Sequence, residues 1–304
     1  MTHISQLTLS NFRSFVDLNL LLGPGVSVFF GGNAQGKTTI LEAMYLLAIA
    51  RSFRAENERE LVNFNAATLG EHALVSGAIE KQDERFSVYI GYQTQLRPSE
   101  LNNHSSTLNV SSSEASSLVN ARNVSVRKQI RVRRKPCTGA DLVGLVGAVL
   151  FSADDIELVY GAPASRRRYL DILLSQSDPH YIRLLQRYRR VVQQRNQVLR
   201  ALKERRANVD ELEFWDDQLI KEGSGLTWSR YNAVERLATF ATAHYKNLTD
   251  ANQVFTITYM PSIACGRDLD DTESIFRDRL NEVKGRELTL SSTAVGPHRD
   301  DVTL

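Results

Sequence analysis

The residues best suited to chemistry in this chain form a run of eight between positions 31 and 38. Gly31, Gly36, Lys37 and Thr38 stand at the spacing G-x-x-x-x-G-K-T of the phosphate-binding loop of nucleotide hydrolases. Glycines let the backbone turn and approach phosphate oxygens. The lysine would reach the β- and γ-phosphates and the threonine would hold Mg²⁺. The run therefore predicts an ATP and Mg²⁺ site lined by Gly31, Gly32, Asn33, Ala34, Gln35, Gly36, Lys37 and Thr38.

The segments on either side of this loop must position it. Val26 to Phe30 is a short β-branched and aromatic run typical of a buried strand. Thr39 to Ala48 is rich in helix formers and contains no glycine or proline. A strand before the loop and a helix after it are the context that the motif requires.

Composition limits the class of protein. The 304 residues suffice for a sizeable core, and 42% hydrophobic with 24% charged residues is ordinary for a globular protein. The net charge of +2 is too small to indicate a partner. Cys137 and Cys265 lie far apart, which fits a reducing cytosol and excludes a disulfide framework. The N-terminus lacks a signal-peptide pattern, and the longest apolar run is broken at Gly23 to Gly25, so we expect a soluble cytoplasmic protein.

Strand patterns surround the loop in sequence. Alternating hydrophobicity predicts strands at 4–9 and 16–22 and an antiparallel pair at 73–79 and 86–92. The turn at 10–15 presents Arg13, which is either a polar contact to the nucleotide or a solvated residue in an ordinary connection. Residues 101–118 are rich in Ser and Asn without periodicity and are interpreted as a loop or a disordered insertion.

A basic stretch follows, from 119 to 140, with no acidic residue. Alternation at 129–133 predicts a strand with its basic residues on one face. Such a face either is solvated and resists edge-to-edge aggregation or binds the phosphate backbone of a nucleic acid. On the second interpretation the contacts are Arg127, Arg131 and Arg133.

Two acidic segments permit more than one interpretation. Ala148 to Phe151 predicts a buried strand that ends in Ser152-Ala153-Asp154-Asp155. These residues either cap a helix, which we favour, or place a carboxylate near Mg²⁺ or the attacking water. Gly296 to Asp301 reads Gly-Pro-His-Arg-Asp-Asp, which is either a polar turn or part of a catalytic edge.

The middle of the chain predicts a helical hairpin. Asp178-Pro179 is a helix start signal, and the helix it opens extends to about residue 206. A second helix follows the turn at 208–210 and extends toward 245, with an interruption near 223–225. The first helix carries many arginines opposite its apolar stripe, whereas solvated faces usually mix signs. We therefore favour contact with nucleic acid or an acidic partner, through Arg187, Arg190 and Arg195.

Several blocks together resemble one family. Asn11 to Phe15 and the loop with Leu41-Glu42-Ala43 resemble the SMC-like branch of the ABC ATPases. Other blocks look specifically like the RecF family, in that family's order and over nearly the whole chain; they are Arg51 to Arg54, Phe151 to Asp155, Ser165 to Asp171, Arg187 to Asn196 and Gly296 to Asp301.

The resemblance implies an α/β fold, with an ABC/SMC-type P-loop ATPase lobe and an inserted α-helical lobe of antiparallel arms. It implies a nucleotide-binding lobe at 1–150, helical arms at 151–250 and a return to the ATPase lobe at 251–304. It also implies an ATP-dependent homodimer on single- and double-stranded DNA at their junctions, slow ATP hydrolysis, and recombinase loading with a RecR-type mediator in DNA replication, recombination, repair and the SOS response. Arg13 would lie near the nucleotide and Asp154 near the γ-phosphate.

One departure from the family's pattern bears on catalysis. The signature helix and the acidic Walker B strand would follow Gly296 to Asp301, but the chain stops at Leu304. The sequence therefore resembles a truncated member, with its catalytic residues unknown and Asp154 the weak candidate. Three hypotheses follow: a RecF-type repair ATPase, a DNA- or partner-binding module that holds nucleotide without turnover, and another SMC-like ATPase.

Overall fold

The computed structural model describes residues 2–82, 84–96, 124–249 and 254–304. By internal contacts the chain divides into two compact units, Met1–Leu150 and Phe151–Leu304. The Ser-rich segment 101–118 lies outside the described residues. The segment 254–304, which the resemblance assigns to the ATPase lobe, lies in the second compact unit. The functions expected of the nucleotide-binding lobe and the helical arms stay predictions.

The first unit is built on a six-stranded antiparallel sheet. Its spatial order is β2-β1-β3-β4-β5-β6. The alternation of Leu7 and Leu9, both buried, with polar neighbours produces one apolar and one polar face. The predicted strands at 4–9, 16–22, 73–79, 86–92 and 129–133 are confirmed; the strands are β1 (Thr2–Phe12), β2 (Phe15–Leu21), β3 (Ala73–Lys81), β4 (Glu84–Leu96), β5 (Val124–Val132) and β6 (Lys135–Cys137).

Helices cover the apolar face of this sheet. Helix α1 (Lys37–Ile49) buries Leu46 and Leu47, and Leu47 packs directly over Gly77 of β3. The predicted helix after the loop is therefore confirmed. The shorter helices of this unit are a 3₁₀ turn (Glu58–Leu61), α2 (Phe64–Thr68) and α3 (Gly139–Leu142).

Two strand predictions are wrong. Neither 26–30 nor 148–151 forms a strand among the described residues. Val26, Phe30 and Phe151 are each at least 90% exposed. Apolar composition predicted burial, but a strand needs a hydrogen-bonded neighbour, and neither segment joins a sheet in the described ranges.

The second unit is mainly helical. Asp178 caps α6 by accepting from the His180 amide, and α6 and α7 form the predicted hairpin. A short antiparallel pair of strands, β7 and β8, completes the unit. The elements are a 3₁₀ turn (Ala153–Ile156), α4 (Glu157–Tyr160), α5 (Pro163–Ser177), α6 (Pro179–Lys203), α7 (Val209–Leu248), β7 (Thr258–Met260), α8 (Leu269–Leu290), a 3₁₀ turn (Pro297–Arg299) and β8 (Asp301–Thr303).

Helix α7 continues through the glycines where an interruption was predicted. A Cβ at Gly223 would lie 2.5 Å from the ring of Phe276, and one at Gly225 would lie 3.1 Å from Leu184. The predicted interruption is therefore wrong. These glycines make room for neighbouring helices, and packing outweighs their low helix propensity.

The apolar run at 254–260 forms a strand only within β7, and the helix that begins at Leu269 continues to the end of α8. In the described part of the chain, no helix combines the length and the hydropathy needed to cross a membrane.

Candidate nucleotide site and basic surfaces

The phosphate-binding motif forms a tight loop that ends at the first residue of α1. Gly31 has φ 142° and Gly36 has φ 87°. Gly36 is the N-cap of α1, and a Cβ on it would lie 2.5 Å from the Phe15 ring. A glycine is required at position 36 for two reasons: its backbone is left-handed, and the Phe15 ring occupies the space that a side chain would need.

The loop presents unpaired donors. Within the described residues, the backbone N–H groups from Gly32 to Gly36 donate to no protein acceptor. The Lys37 ammonium donates to the carbonyls of Gly31 and Gly32, at 2.8 and 2.6 Å, which folds its side chain over the loop. Free amides at a helix N-terminus, beside an ammonium group, form a receptor for a polyanion.

Arg13 lies at the turn between β1 and β2 and is bound by a buried carboxylate. Its guanidinium donates to both oxygens of Glu42, at 3.1 and 2.8 Å, and Glu42 is fully buried on α1. The Ser52 hydroxyl also donates to Glu42. Arg13 thus attaches the turn to the helix that follows the loop. The contact of Arg13 with the nucleotide stays a prediction.

Thr38, the predicted Mg²⁺ ligand, is exposed in the first turn of α1.

A cavity of about 410 Å³ lies beside Arg13 in the first unit. This volume is in the range of small-molecule sites. Its wall combines one aromatic ring with charged and amide side chains. The lining residues are Arg13, Asn57, Arg59, Glu60, Val62, Phe64, Ala67 and Thr68.

The acidic segment after residue 151 forms a helical cap. The Ser152 amide donates to the Asp155 carboxylate, and the Asp155 amide donates to the Ser152 carbonyl, which opens a 3₁₀ turn. The favoured interpretation as a cap is therefore confirmed. Asp154 is exposed on this turn in the second unit, and its predicted place near a γ-phosphate stays a prediction.

His298 is held in a neutral hydrogen-bonded state. Its Nδ1 accepts from the Tyr188 hydroxyl at 2.6 Å, and its Nε2 donates to the Thr293 carbonyl at 3.2 Å. Burial, with neighbouring arginines, lowers the pKa of His298 to about 4. The imidazole therefore stabilises the segment before β8, and within the second unit it is oriented toward protein partners.

The two aspartates that follow are also engaged. Asp300 accepts from the Ser262 amide at 2.7 Å and from the Tyr259 hydroxyl, and burial raises the pKa of Asp300. Arg166 donates to both oxygens of Asp301, at 2.8 and 2.9 Å, and this bonding lowers the pKa of Asp301. Within the second unit, these contacts favour a polar turn over a catalytic edge.

Arg195 corrects one predicted DNA contact. Its side chain is 0% exposed and donates to Glu287 at 2.6 Å and to Asp216 at 2.7 Å, with a third bond to Thr293 at 3.0 Å. Arg195 cannot reach a ligand from this position. Because the helix carries many arginines, the sequence pattern alone does not distinguish a buried, ion-paired arginine from an exposed one.

The exposed side of α6 presents a different set of residues. Arg183, Arg190 and Arg200 are exposed and form no ion pair or side-chain hydrogen bond with the described residues. At 100° per residue they share a stripe about 100° wide with Gln186, Gln193 and Gln197. Arg187, by contrast, is paired with Glu222 at 2.9 Å. Arg183 and Arg200 belong to the predicted basic face but not to its three named candidates, and their spacing from the apolar stripe is the signal that identifies them.

The predicted basic residues of the first unit have unequal surroundings. Arg127 and Arg131 are exposed on the polar face of β5, and the Arg131 guanidinium lies 5.7 Å from the centre of the Tyr89 ring. Arg133 is paired with Glu84. The structure therefore places Arg127 and Arg131 on one face of β5 and gives Arg133 a carboxylate partner.

Comparison with known proteins agrees with this architecture. A family model described as an AAA domain matches residues 6–282. The DNA replication and repair protein RecF of Roseiflexus castenholzii is 37% identical over 310 residues, which cover 99% of this chain and 74% of that protein. RecF of Herpetosiphon aurantiacus is 36% identical over 307 residues, with the same shares.

Solved structures give the same result. The recombination mediator protein RecF-ATP of the RecFOR pathway superposes with a TM-score of 0.83 at 28% identity, over 99% of this chain and 72% of that one. A second RecF structure, RecF-ATPrS, gives a TM-score of 0.82 at 27% identity. The predicted ABC/SMC-type P-loop ATPase fold with a helical lobe is confirmed. This chain belongs to the RecF family of DNA replication and repair proteins.

Proposed function

We propose that this chain binds ATP and DNA in recombinational repair and replication, as a component of a RecFOR-type pathway. The observation that carries the proposal is the loop at 31–38, whose amides from Gly32 to Gly36 lack protein acceptors. The family membership and the ATP named for the solved RecF relative support it. On this proposal the chain acts as an ATP-dependent homodimer that works with a RecR-type mediator and helps load recombinase at junctions of single- and double-stranded DNA.

The phosphates of ATP would replace the present partners of Lys37. Its ammonium would move from the carbonyls of Gly31 and Gly32 toward the β- and γ-phosphates. The exposed hydroxyl of Thr38, at the positive end of α1, fits a ligand of Mg²⁺. Among the described residues, no group of three or more acidic, His or Cys side chains is arranged to hold a metal ion.

We assign the nucleoside end of ATP to the cavity beside Arg13. The Phe64 ring in its wall offers a surface for a base, and Asn57 and Arg59 offer hydrogen-bond donors. The bond between Arg13 and Glu42 of α1 connects this cavity to the helix that follows the phosphate loop. Glu42 is five residues, or about 7.5 Å, along α1 from Lys37.

DNA contact is assigned to the exposed stripe of α6. Arg183 and Arg200 are separated by 17 residues, or about 25 Å of helix. Glutamines between them add neutral donors, and Arg190 provides a cation within that length. A row of unpaired arginines without acids suits a phosphate backbone, whose binding releases counterions.

A second candidate function is nucleotide binding without turnover. Glu42 is the carboxylate of α1, and it is already bound to Arg13 and Ser52. An ATP turnover assay separates the two functions: measurable hydrolysis that Lys37→Ala abolishes supports the ATPase, and binding without hydrolysis supports the module.

The proposal is tested first by nucleotide binding. Removing the Lys37 ammonium deletes a charged hydrogen bond worth about 1.5–3 kcal/mol. Lys37→Ala should therefore lower the affinity for a fluorescent ATP analogue by about 10- to 150-fold. Lys135→Ala, an exposed lysine of the same unit, is the matched control and should have no effect. Equal affinity for wild type and Lys37→Ala would contradict the assignment of the loop.

The DNA contact is tested by its salt dependence. Each phosphate contact contributes about 0.9 to the slope of log K against log salt, so replacing Arg183, Arg190 and Arg200 together by Ala should lower the slope by about 2.7. Arg267→Ala, which removes an 89%-exposed arginine paired with Asp271, is the control. An unchanged slope in the triple variant would reject α6 as the DNA surface.

A further inference from the structure

The polar face of the six-stranded sheet, opposite α1, has a composition that the nucleotide loop does not explain. Its outward positions on β4 are the odd residues from 85 to 95, and those on β5 are the odd residues from 125 to 131. These positions carry arginine, serine, glutamine, glycine and tyrosine, and no carboxylate. The nearby outward Glu80 of β3 lies 3.9 Å from Arg85, at one end of this area.

Tyr89 lies across the sheet at the centre of this area. A Cβ built on Gly91 would lie 2.9 Å from both Cε1 and the hydroxyl of Tyr89, so the ring rests on the glycine two residues along the same strand. On β3, Ser76 is the direct partner of Tyr89 and Leu74 is the direct partner of Gly91. The backbone of Gly91 therefore gives the ring a flat floor, with Leu74 beside it.

Two cations lie on the same face as the ring, Arg131 beside it and Arg127 farther along β5. Arg131 is the direct partner of Tyr89 on β5, and its guanidinium lies 5.7 Å from the ring centre. Arg127 follows on the same face four residues earlier, about 13 Å away along the strand. Between them Gln129 donates to Gln93 at 3.3 Å, which keeps the surface flat and polar.

We propose that this surface, defined by Tyr89, Gly91, Arg127, Gln129 and Arg131, binds a single strand of nucleic acid. A base stacks on the Tyr89 ring, and the phosphates on either side of it contact Arg127 and Arg131. A flat aromatic ring flanked by arginines suits unpaired bases, because every base has a π-face and the backbone needs cations. A duplex conceals its base faces and cannot use the ring. The proposal extends the proposed function to a second surface that does not depend on α6.

The test compares single-stranded and duplex DNA. A fluorescein-labelled oligothymidine of about 15 nucleotides and a duplex of the same length are titrated with the whole chain. Loss of one stacked base is worth about 1–3 kcal/mol, so Tyr89→Ala should weaken the single strand by about 5- to 150-fold and leave the duplex unchanged. Tyr89→Phe keeps the ring and should bind within a factor of two of wild type.

Two further variants keep the result interpretable. Gly91→Ala should displace the ring and weaken the single strand in the same direction, while far-UV circular dichroism verifies that each variant is folded. Tyr160→Ala, which removes an 83%-exposed tyrosine of the second unit, is the control. Unchanged single-strand affinity in folded Tyr89→Ala, or an equal loss for both DNA forms, would overturn the proposal. The α6 variant is measured in parallel, so failure of one surface is distinguishable from failure of the other.

Discussion

The buried guanidinium of Arg195 provides the most demanding stability prediction. Arg195→Met keeps most of the side-chain volume but leaves Glu287 without its cation in a site where both side chains are 0% exposed. It also removes one bond to Asp216 and one to Thr293. Breaking a buried ion pair in this way is worth about 3–5 kcal/mol, a large fraction of the roughly 5–15 kcal/mol that holds a folded domain together.

The assay uses the natural fluorophores of the second unit. The chain contains two tryptophans, Trp215 and Trp228, and both lie on α7. Urea unfolding followed by tryptophan fluorescence therefore reports the unit that contains Arg195. We expect the free energy of unfolding to fall by about 3–5 kcal/mol in Arg195→Met, and by less than about 0.5 kcal/mol in the exposed control Arg190→Ala.

A double variant separates charge from packing. Arg195→Met combined with Glu287→Leu removes both members of the pair, and such replacements are often neutral or stabilising. The double variant should therefore recover much of the stability lost in Arg195→Met. A loss below about 1 kcal/mol in Arg195→Met would show that the buried ion pair does not stabilise the unit. A weakened DNA affinity in a fully folded Arg195 variant would contradict the structural role of this side chain.

Three other predictions follow from local geometry. Gly36→Ala should reduce nucleotide affinity at least tenfold in an equilibrium titration, because the new methyl would meet Phe15 and the φ of 87° is left-handed; wild-type affinity would contradict it. His298 has a pKa of about 4, below the 6.5 of the unfolded chain. As pH falls from 6.5 to 4, the imidazole is protonated in the unfolded chain before it is protonated in the folded chain. The free energy of unfolding should therefore drop by up to about 3 kcal/mol relative to a folded His298→Gln variant measured in parallel. Identical pH profiles of the two proteins would exclude this linkage. Gly223→Ala should destabilise the protein by about 1–3 kcal/mol, because its methyl group would overpack the core. Gly285→Ala on α8 is the control: its Cβ would have nothing within 4 Å, so it should be neutral or stabilising by up to about 1 kcal/mol. The opposite order of melting temperatures would reject this explanation by packing.

Local patterns predicted most of the elements. Alternating hydrophobicity predicts β1 to β4 and the strand at 129–133. In β1, β3, β4 and β5 the alternation reflects one buried face, whereas β2 buries none of its residues. The start signal at Asp178 and the cap at Ser152 are short-range hydrogen-bond motifs, so sequence suffices to locate them. The phosphate loop is predictable for the same reason, since the backbone conformation of the loop is set by residues within it.

Long-range packing was not predictable from those patterns. The apolar segments at 26–30 and 148–151 have the composition of buried strands, but composition does not state whether a neighbouring strand is present. The glycine at 223 signals a break unless Phe276, more than fifty residues away, is known to pack on it. Arg195 was assigned to the surface because its partner Glu287 is 92 residues distant in sequence.

On the proposed function, nucleotide at the loop controls DNA binding. DNA affinity should therefore be measured with and without a non-hydrolysable ATP analogue, in wild type and in Lys37→Ala. We predict that the analogue increases wild-type affinity by about 5- to 150-fold, the usual range of coupling between two sites, and does not change that of Lys37→Ala. Equal DNA affinity in the presence and absence of the analogue, in a wild-type chain shown to bind it, would exclude control of DNA binding by the nucleotide.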